Sequence, residues 1–204
     1  MRTSRLEAFS DGVMAIIITI MVLELKVPEG HDLAALTPAV GSSLLTYLLS
    51  FVYVGIYWNN HHHLFQATET ISGGVLWANL HLLFWLSLFP FTTAWMDESG
   101  LAQTPVVAYG LNLLAAAIAY LLMQAVIIRG QGPDSALRRA MGRDIKGKSS
   151  LALYLAGVLS ALLGGAHQAV WSYLGVAFFV AAAILWLVPD RRIERNIGAE
   201  PGTD

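Results

Sequence analysis

Long apolar runs, each about 20 residues in length, are the feature that most constrains the fold of this chain. A bilayer core about 30 Å thick is crossed by about 20 residues of α-helix. Six such runs occur, at 6–26, 36–58, 75–96, 105–128, 151–166 and 169–188. Only 13% of the 204 residues are charged, against about 25% in a typical soluble domain. The sequence therefore predicts an all-α integral membrane protein with six transmembrane helices in residues 1–190 and a short polar cytoplasmic tail in residues 191–204.

The first and fifth runs each allow a second interpretation. Glu7 and Asp11 interrupt the first run, and residues 23–27 offer no small-residue cleavage site. We therefore interpret this run as a mature helix and not as a signal peptide. The fifth run is short, and only residues 164–168 separate it from the sixth. This spacing predicts a helical hairpin, with one re-entrant pair as the alternative.

Basic residues are distributed unevenly among the segments that flank the runs. Eleven of the 12 lysines and arginines lie at the N-terminus, in the 129–148 segment or in the C-terminal tail, and Lys26 is the exception. Because Lys and Arg are enriched on the cytoplasmic side, we expect both termini to be cytoplasmic. The outward helix ends instead carry acidic residues, namely Glu24, Glu29, Asp32, Asp97 and Glu98. A cation would meet negative potential on that side.

Polar residues gather at the inner level of the first three helices. Asp11 lies inside the first run or at its edge, where an ionised side chain needs a partner or water. The end of the second run and the start of the third reach the same depth and carry Asn59, Asn60, His61, His62, His63, Asn79 and His81. We hypothesise a hydrogen-bonded network between the three helices, whose alternative role is only to order the bundle. Its members would be one or two of the histidines together with Arg5, Ser10, Asp11 and Asn79.

The same residues argue against a metal centre and against catalysis. Residues 61–63 cannot all face one ion, because successive helical side chains point about 100° apart. The sequence contains no cysteine and no His-Glu-x-x-His motif, and no nucleophile is paired with a base at matching depth. The net charge of -2 gives no reason to expect nucleic acid. We therefore expect no enzyme activity, no resident metal or cofactor and no nucleic-acid partner.

One side of the first helix carries an apolar stripe. Its members recur at i, i+4, i+7 and i+11 and are Ile16, Ile20, Leu23 and Val27. Thr19 and Glu24 flank this stripe. Taken alone, such a pattern is typical of a surface that faces lipid or packs against neighbouring helices.

Three motifs in the first three runs resemble those of the transmembrane protein 175 family, which comprises endosomal and lysosomal potassium channels and their bacterial relatives. The first motif is Arg5-x-x-x-Phe9-Ser10-Asp11, at the start of the first helix. The second is Tyr57-Trp58-x-x-His61-His62-x-x-Phe65, at the end of the second helix. The third is Asn79 followed by Leu82-Leu83 and by Phe89-Pro90-Phe91-Thr92. The last three helices match the family only in number and hydrophobicity.

The resemblance implies a potassium-permeable channel without a carbonyl selectivity filter. A single-repeat chain of this kind would be a homotetramer in a bacterial inner membrane, with lipid and potassium ions as its other partners. The first helix would line the pore, with the constriction at Ile16 and further pore residues at Thr19, Ile20 and Leu23. The residues that hold this helix against the next two would be Arg5, Phe9, Ser10, Asp11, Trp58, His61, His62 and Asn79. We place Glu24 at the outer mouth on our own reasoning, because it lies near the outer end of the stripe.

Four copies of Ile16 would form an apolar ring through which a cation passes after losing much of its hydration. Such rings gate by dewetting, and they disfavour the more strongly hydrated sodium ion. One alternative is a secondary transporter, which needs polar groups near the middle of the membrane. Another is a proton-permeable leak channel, because the histidine side chain exchanges protons near neutral pH and the sequence offers His61 and His62. A non-conducting scaffold is the third alternative.

Overall fold

The fold is described from a computed structural model that covers residues 3–28, 31, 33–68, 70–132, 145–164 and 167–187, without the side chains of 33–40 and 42. These residues form seven α-helices and contain no strand. The helices are α1 (Thr3–Leu23), α2 (Leu33–Gln66), α3 (Gly73–Ser87), α4 (Phe89–Glu98), α5 (Gln103–Gln131), α6 (Ile145–Leu162) and α7 (Gln168–Leu187). Glu29, Asp32, the middle of the 129–148 segment and the predicted tail at 191–204 lie outside the described residues.

The helices α3 and α4 are two halves of one membrane-length segment, Gly73–Glu98. They meet at Leu88, and Pro90 stands in the first turn of α4. Because proline has no amide proton, it interrupts the i to i−4 hydrogen bonds and divides the single helix predicted at 75–96. Counted in this way, the described helices form six segments, which confirms the predicted number and the all-α class. Four segments are long and apolar enough to cross a membrane: Thr3–Leu23, Gly73–Glu98, Gln103–Gln131 and Gln168–Leu187.

Two helix boundaries differ most from those predicted by hydrophobicity. The second helix continues past the apolar run ending at 58 to Gln66, so that residues 61–63 are helical. The fifth segment begins at Ile145 and not at 151, so that Lys146 and Lys148 lie in its first turn. The apolar runs mark the parts of these helices that match the bilayer core. The backbone continues as a helix into the polar residues because each further turn still satisfies its hydrogen bonds.

The helix α1 lies at one edge of the bundle, and α5 lies at its centre. The helix α1 packs against α2, α3 and α4, whereas α5 packs against α3, α4, α6 and α7. The largest buried side chains near α5 include Tyr53, Tyr109, Phe89 and Phe179. The Tyr53 hydroxyl donates a hydrogen bond to the Phe179 carbonyl oxygen at 2.6 Å and joins α2 to α7. Because of this arrangement, α1 buries only one of its faces within the chain.

The helices α5, α6 and α7 approach each other closely at Gly110, Gly157 and Gly175. A Cβ atom added at Gly157 would lie 2.9 Å from the Gly175 carbonyl oxygen and would overlap the Phe179 ring. Small residues permit this kind of close backbone contact between membrane helices.

Replacing Gly157 with alanine is therefore expected to lower the free energy of unfolding by about 1–3 kcal/mol, because the added methyl group forces α6 and α7 apart. Thermal unfolding of the purified protein in detergent measures this loss. Gly55→Ala is the control, since its Cβ would meet nothing within 4 Å. If the two variants melt at the same temperature, α6 and α7 are not packed as described.

Candidate functional site

The buried face of α1 fixes how this helix is rotated against the bundle. Its buried residues are Leu6, Ser10, Met14, Ile17 and Met21. They recur every three or four positions, which places them along one side of a helix. This side contacts α2, α3 and α4, so that the remaining circumference of α1 is left uncovered by its own chain.

The apolar stripe of the first helix lies on that uncovered side. Ile16, Ile20 and Leu23 on α1 are all exposed, with Ile16 at 59% and Leu23 at 81%. Val27 is also exposed, but it lies four residues beyond the end of α1, so its predicted place on the same helix face was wrong because the helix ends before it. We call the three residues on α1 the open stripe. Within the chain they do not contribute to the buried core, in contrast to Ile17 and Met21 beside them. The open stripe is therefore available to lipid or to another copy of the chain.

Thr19 is also exposed, and its hydroxyl group has a defined orientation. The Thr19 Oγ1 atom donates a hydrogen bond to the Ile16 carbonyl oxygen at 2.9 Å. Because its proton is used within the helix, the oxygen presents lone pairs to the outside. Thr19 can therefore act there as an acceptor or as a ligand to a cation. Glu24 is likewise exposed, directly after the end of α1.

On the buried side, a hydrogen-bonded network joins α1 to α2 and α3. The Asn79 Nδ2 atom donates to Ser10 Oγ at 3.0 Å, and His61 Nε2 lies 2.8 Å from Asn79 Oδ1. Ser10 in turn donates to the Leu6 carbonyl oxygen at 2.9 Å. We call Ser10, Asn79 and His61 the anchor network. Asn79 and Ser10 are 0% exposed and His61 is 1% exposed, so these bonds are shielded from water.

The anchor network has one consistent direction of hydrogen bonding. Since the Asn79 amide nitrogen donates to Ser10, its oxygen is the acceptor, and His61 must carry its proton on Nε2. The other ring nitrogen, His61 Nδ1, is buried and has no hydrogen-bond partner. The His61 ring lies 4.4 Å from the Phe65 ring, centroid to centroid. These surroundings favour the neutral imidazole.

Asp11 lies outside the anchor network and has a different partner from those expected. The Trp58 indole nitrogen donates to Asp11 Oδ1 at 3.0 Å. Among the described residues no histidine bonds to Asp11, because Asp11 follows Ser10 and is turned by about 100° towards the exposed side. The Trp58 ring is nearly parallel to the ring of His62, 6.2 Å away. Asp11 and Trp58 therefore form a second, exposed link between α1 and α2.

A third link involves Glu7, which sequence reasoning did not include. The His62 Nδ1 atom lies 3.9 Å from Glu7 Oε1, and its Nε2 lies 2.8 Å from Gln66 Nε2. Because an amide nitrogen only donates, His62 accepts from Gln66 and carries its proton on Nδ1, towards Glu7. The sequence contained one signal for this link. Glu7 precedes Asp11 by four residues and therefore lies on a neighbouring part of the helix surface.

Arg5 and Phe9 lie on the exposed side of α1. In the described part of the chain, no hydrogen bond or ion pair to Arg5 is present, so the expected participation of Arg5 in the network is not seen. Phe9 is half exposed. It precedes Ile16 by two helical turns and therefore continues the line of the open stripe towards the N-terminus.

The described residues contain a further buried polar cluster, which was not expected from the sequence. Ser50 Oγ lies 2.7 Å from Thr93 Oγ1 and 3.0 Å from the Tyr109 hydroxyl. These bonds join α2, α4 and α5 next to the break at Leu88. Hydroxyl residues within otherwise apolar runs were the only sequence signal. Within the described ranges, no group of three or more His, Asp or Glu side chains is placed to hold a metal ion.

A bundle of apolar helices, held together by buried polar links between its spans, defines a multi-pass membrane protein. The family model for the endosomal/lysosomal potassium channel TMEM175 matches residues 5–90. A potassium channel of Chryseobacterium sp. (strain P1-3) is 50% identical over 197 residues, which cover 97% of this chain and 98% of that relative. The chain belongs to the TMEM175 family.

Other relatives show how far this similarity extends. The endosomal/lysosomal proton channel TMEM175 of Gallus gallus is 33% identical over 129 residues, which cover 61% of this chain but only 25% of that protein. The crystal structure of a lysosomal potassium-selective channel TMEM175 homolog from Chamaesiphon minutus has a TM-score of 0.64 and 29% identity. That likeness covers 91% of this chain and 96% of the solved chain. The similarity to the Chamaesiphon structure therefore includes the last three helices.

Proposed function

We propose that the protein is a potassium channel in which four copies of the chain surround one pore lined by α1. The observation that carries this proposal is the open stripe, an apolar face of α1 that its own chain leaves uncovered. The opposite face of the same helix is fixed by the anchor network. The bacterial relatives named as potassium channels support potassium as the permeant ion.

In this proposal, Ile16 forms the narrowest ring, and Ile20 and Leu23 form further apolar layers towards the outside. A cation passes the Ile16 ring after losing part of its hydration shell, and a small inward movement of α1 dewets and closes the ring. Thr19 presents its hydroxyl oxygen beside the ring and replaces part of the lost hydration. Glu24 raises the local concentration of cations at the outer mouth.

The three links on the other side of α1 position the pore helix. The anchor network is buried, and Asp11 with Trp58 and Glu7 with His62 lie nearer the surface. All three links involve the first half of α1. We propose that they hold this half in place while the pore-lining half remains free to adjust.

The charge distribution supports the orientation of the channel. Since 11 of the 12 basic residues lie at the N-terminus, in the 129–148 segment or in the C-terminal tail, we propose that both termini are cytoplasmic in a bacterial inner membrane. In this proposal, potassium is the permeant ion and not a resident cofactor.

A proton-permeable channel is a second candidate, because the vertebrate relatives are named proton channels. A secondary transporter has less support, since Thr19 is the one polar side chain that residues 16–23 of α1 offer to a bound substrate. Proton flux is measured with a pH-sensitive dye in the same liposomes that are used for potassium.

Reconstitution of the purified chain into liposomes tests the proposal directly. With a potassium gradient we expect passive, downhill potassium flux that needs no counter-transported ion. Native mass spectrometry should find complexes of four chains of 22.1 kDa each. Flux that saturates and requires a second ion would favour a transporter. A stable monomer would contradict a pore built from one helix per chain.

A further inference from the structure

An ion pair joins the segment that follows α1 to the last residue of α4. Lys26 Nζ lies 3.1 Å from Glu98 Oε1. Lys26 is the single basic residue that the sequence places on the outer side. Its partner is one of three acidic residues described at this end, the others being Glu24 and Asp97.

Lys26 lies next to the open stripe along the chain. It lies between Leu23, the last residue of the stripe, and Val27, which are 81% and 88% exposed. Its backbone is therefore at the outer end of the proposed pore surface. Its ammonium group pairs with Glu98 at the end of α4, a helix that packs against the buried side of α1 and not against the open stripe.

We propose that Glu98 holds the Lys26 ammonium group away from the outer mouth and thereby sets the rate at which cations enter. This inference rests on the proposed function, because it requires that four α1 helices surround the pore. With the pair intact, Glu24 dominates the potential that an approaching cation meets. Without Glu98, four mobile ammonium groups are free to move over the mouth and repel cations.

The size of this effect depends on ionic strength. Charges about 10 Å from the entering ion are weakly screened at 10 mM salt, where the Debye length is about 30 Å, and more strongly screened at 150 mM, where it is about 8 Å. Four unit charges at that distance in water lower cation entry by about sevenfold at 10 mM and by about twofold at 150 mM. Both side chains of the pair are exposed, and an exposed ion pair adds little to the stability of the fold. Its removal is therefore expected to leave folding and assembly intact.

The experiment records whole-cell potassium currents from cells that express the full chain, with outer potassium at 10 mM or 150 mM and constant osmolarity. Glu98→Gln is expected to reduce inward current by about sevenfold at 10 mM and by about twofold at 150 mM. Outward current serves as an internal reference, because its ions enter the pore from the inside and not through the outer mouth. In the Lys26→Gln background, the same Glu98→Gln substitution is expected to have a much smaller effect.

Asp97→Asn provides the matched control, because it removes one negative charge from the neighbouring position without releasing the lysine. We expect its effect to be the same in the unmodified chain and in the Lys26→Gln background. The inference is overturned if Glu98→Gln and Asp97→Asn act equally in both backgrounds, or if Glu98→Gln changes only the outward current. Absence of potassium current in the unmodified protein would instead contradict the proposed function, and the two failures are thus distinguishable.

Discussion

Replacing Ile16 with asparagine is expected to raise potassium flux by about tenfold and to bring the permeabilities of potassium and sodium close to equality. In the proposed tetramer four Ile16 side chains form the dry ring, and a tenfold increase in flux corresponds to a barrier lower by about 1.4 kcal/mol. Four amide groups would keep water in the ring and replace part of the hydration that an ion loses there. Conductance and reversal potential under potassium and sodium gradients measure the two effects.

Val22 provides the control for this experiment because it is also apolar and exposed on α1. It follows Ile16 by six residues, which places it about 120° around the helix. Val22→Asn is therefore expected to leave both conductance and ion preference unchanged. If Ile16→Asn also leaves them unchanged while the unmodified protein conducts, the constriction does not lie at Ile16.

The fold was predictable from the sequence as far as hydrophobicity determines it. Runs of about 20 apolar residues predict the number of segments, because a bilayer imposes that length on a helix. The break at Leu88 was not predicted, since Pro90 lies within an apolar run and proline is tolerated in membrane helices. The start of α6 at Ile145 was also missed, because Lys146 and Lys148 lower the hydrophobicity of a turn that is nevertheless helical.

The candidate site was predictable where the helical period alone determines which side a residue faces. Ser10 and Ile16 are six positions apart and lie on different sides of α1, one buried and one exposed. The meeting of Ser10, Asn79 and a histidine followed from their common depth, but which histidine takes part was not predicted. The partner of Asp11 was not predictable, because it depends on the rotation of α2. That rotation turns Trp58 towards Asp11 and His61 towards Asn79.

Removal of Asn79 is expected to have the largest effect on stability among the residues that position α1. In Asn79→Leu, His61 keeps a buried ring with neither nitrogen bonded, since its Nδ1 already lacks a partner. Leaving a buried polar group unsatisfied costs about 1–3 kcal/mol. For a chain of this length the melting temperature in detergent is expected to fall by about 2–12 °C. Trp58→Phe removes only the exposed bond to Asp11, and we expect a clearly smaller decrease.

A double substitution separates the hydrogen bond from packing. Replacing both partners of a buried bond with apolar groups of similar shape can be nearly neutral, because no polar group is left without a partner. His61→Leu combined with Asn79→Leu is therefore expected to melt above Asn79→Leu alone. If the double variant loses the sum of the two decreases in melting temperature that the single variants show, Asn79 contributes by its shape and not by its bond to His61. If neither single substitution lowers the melting temperature, the anchor network does not hold α1 in place.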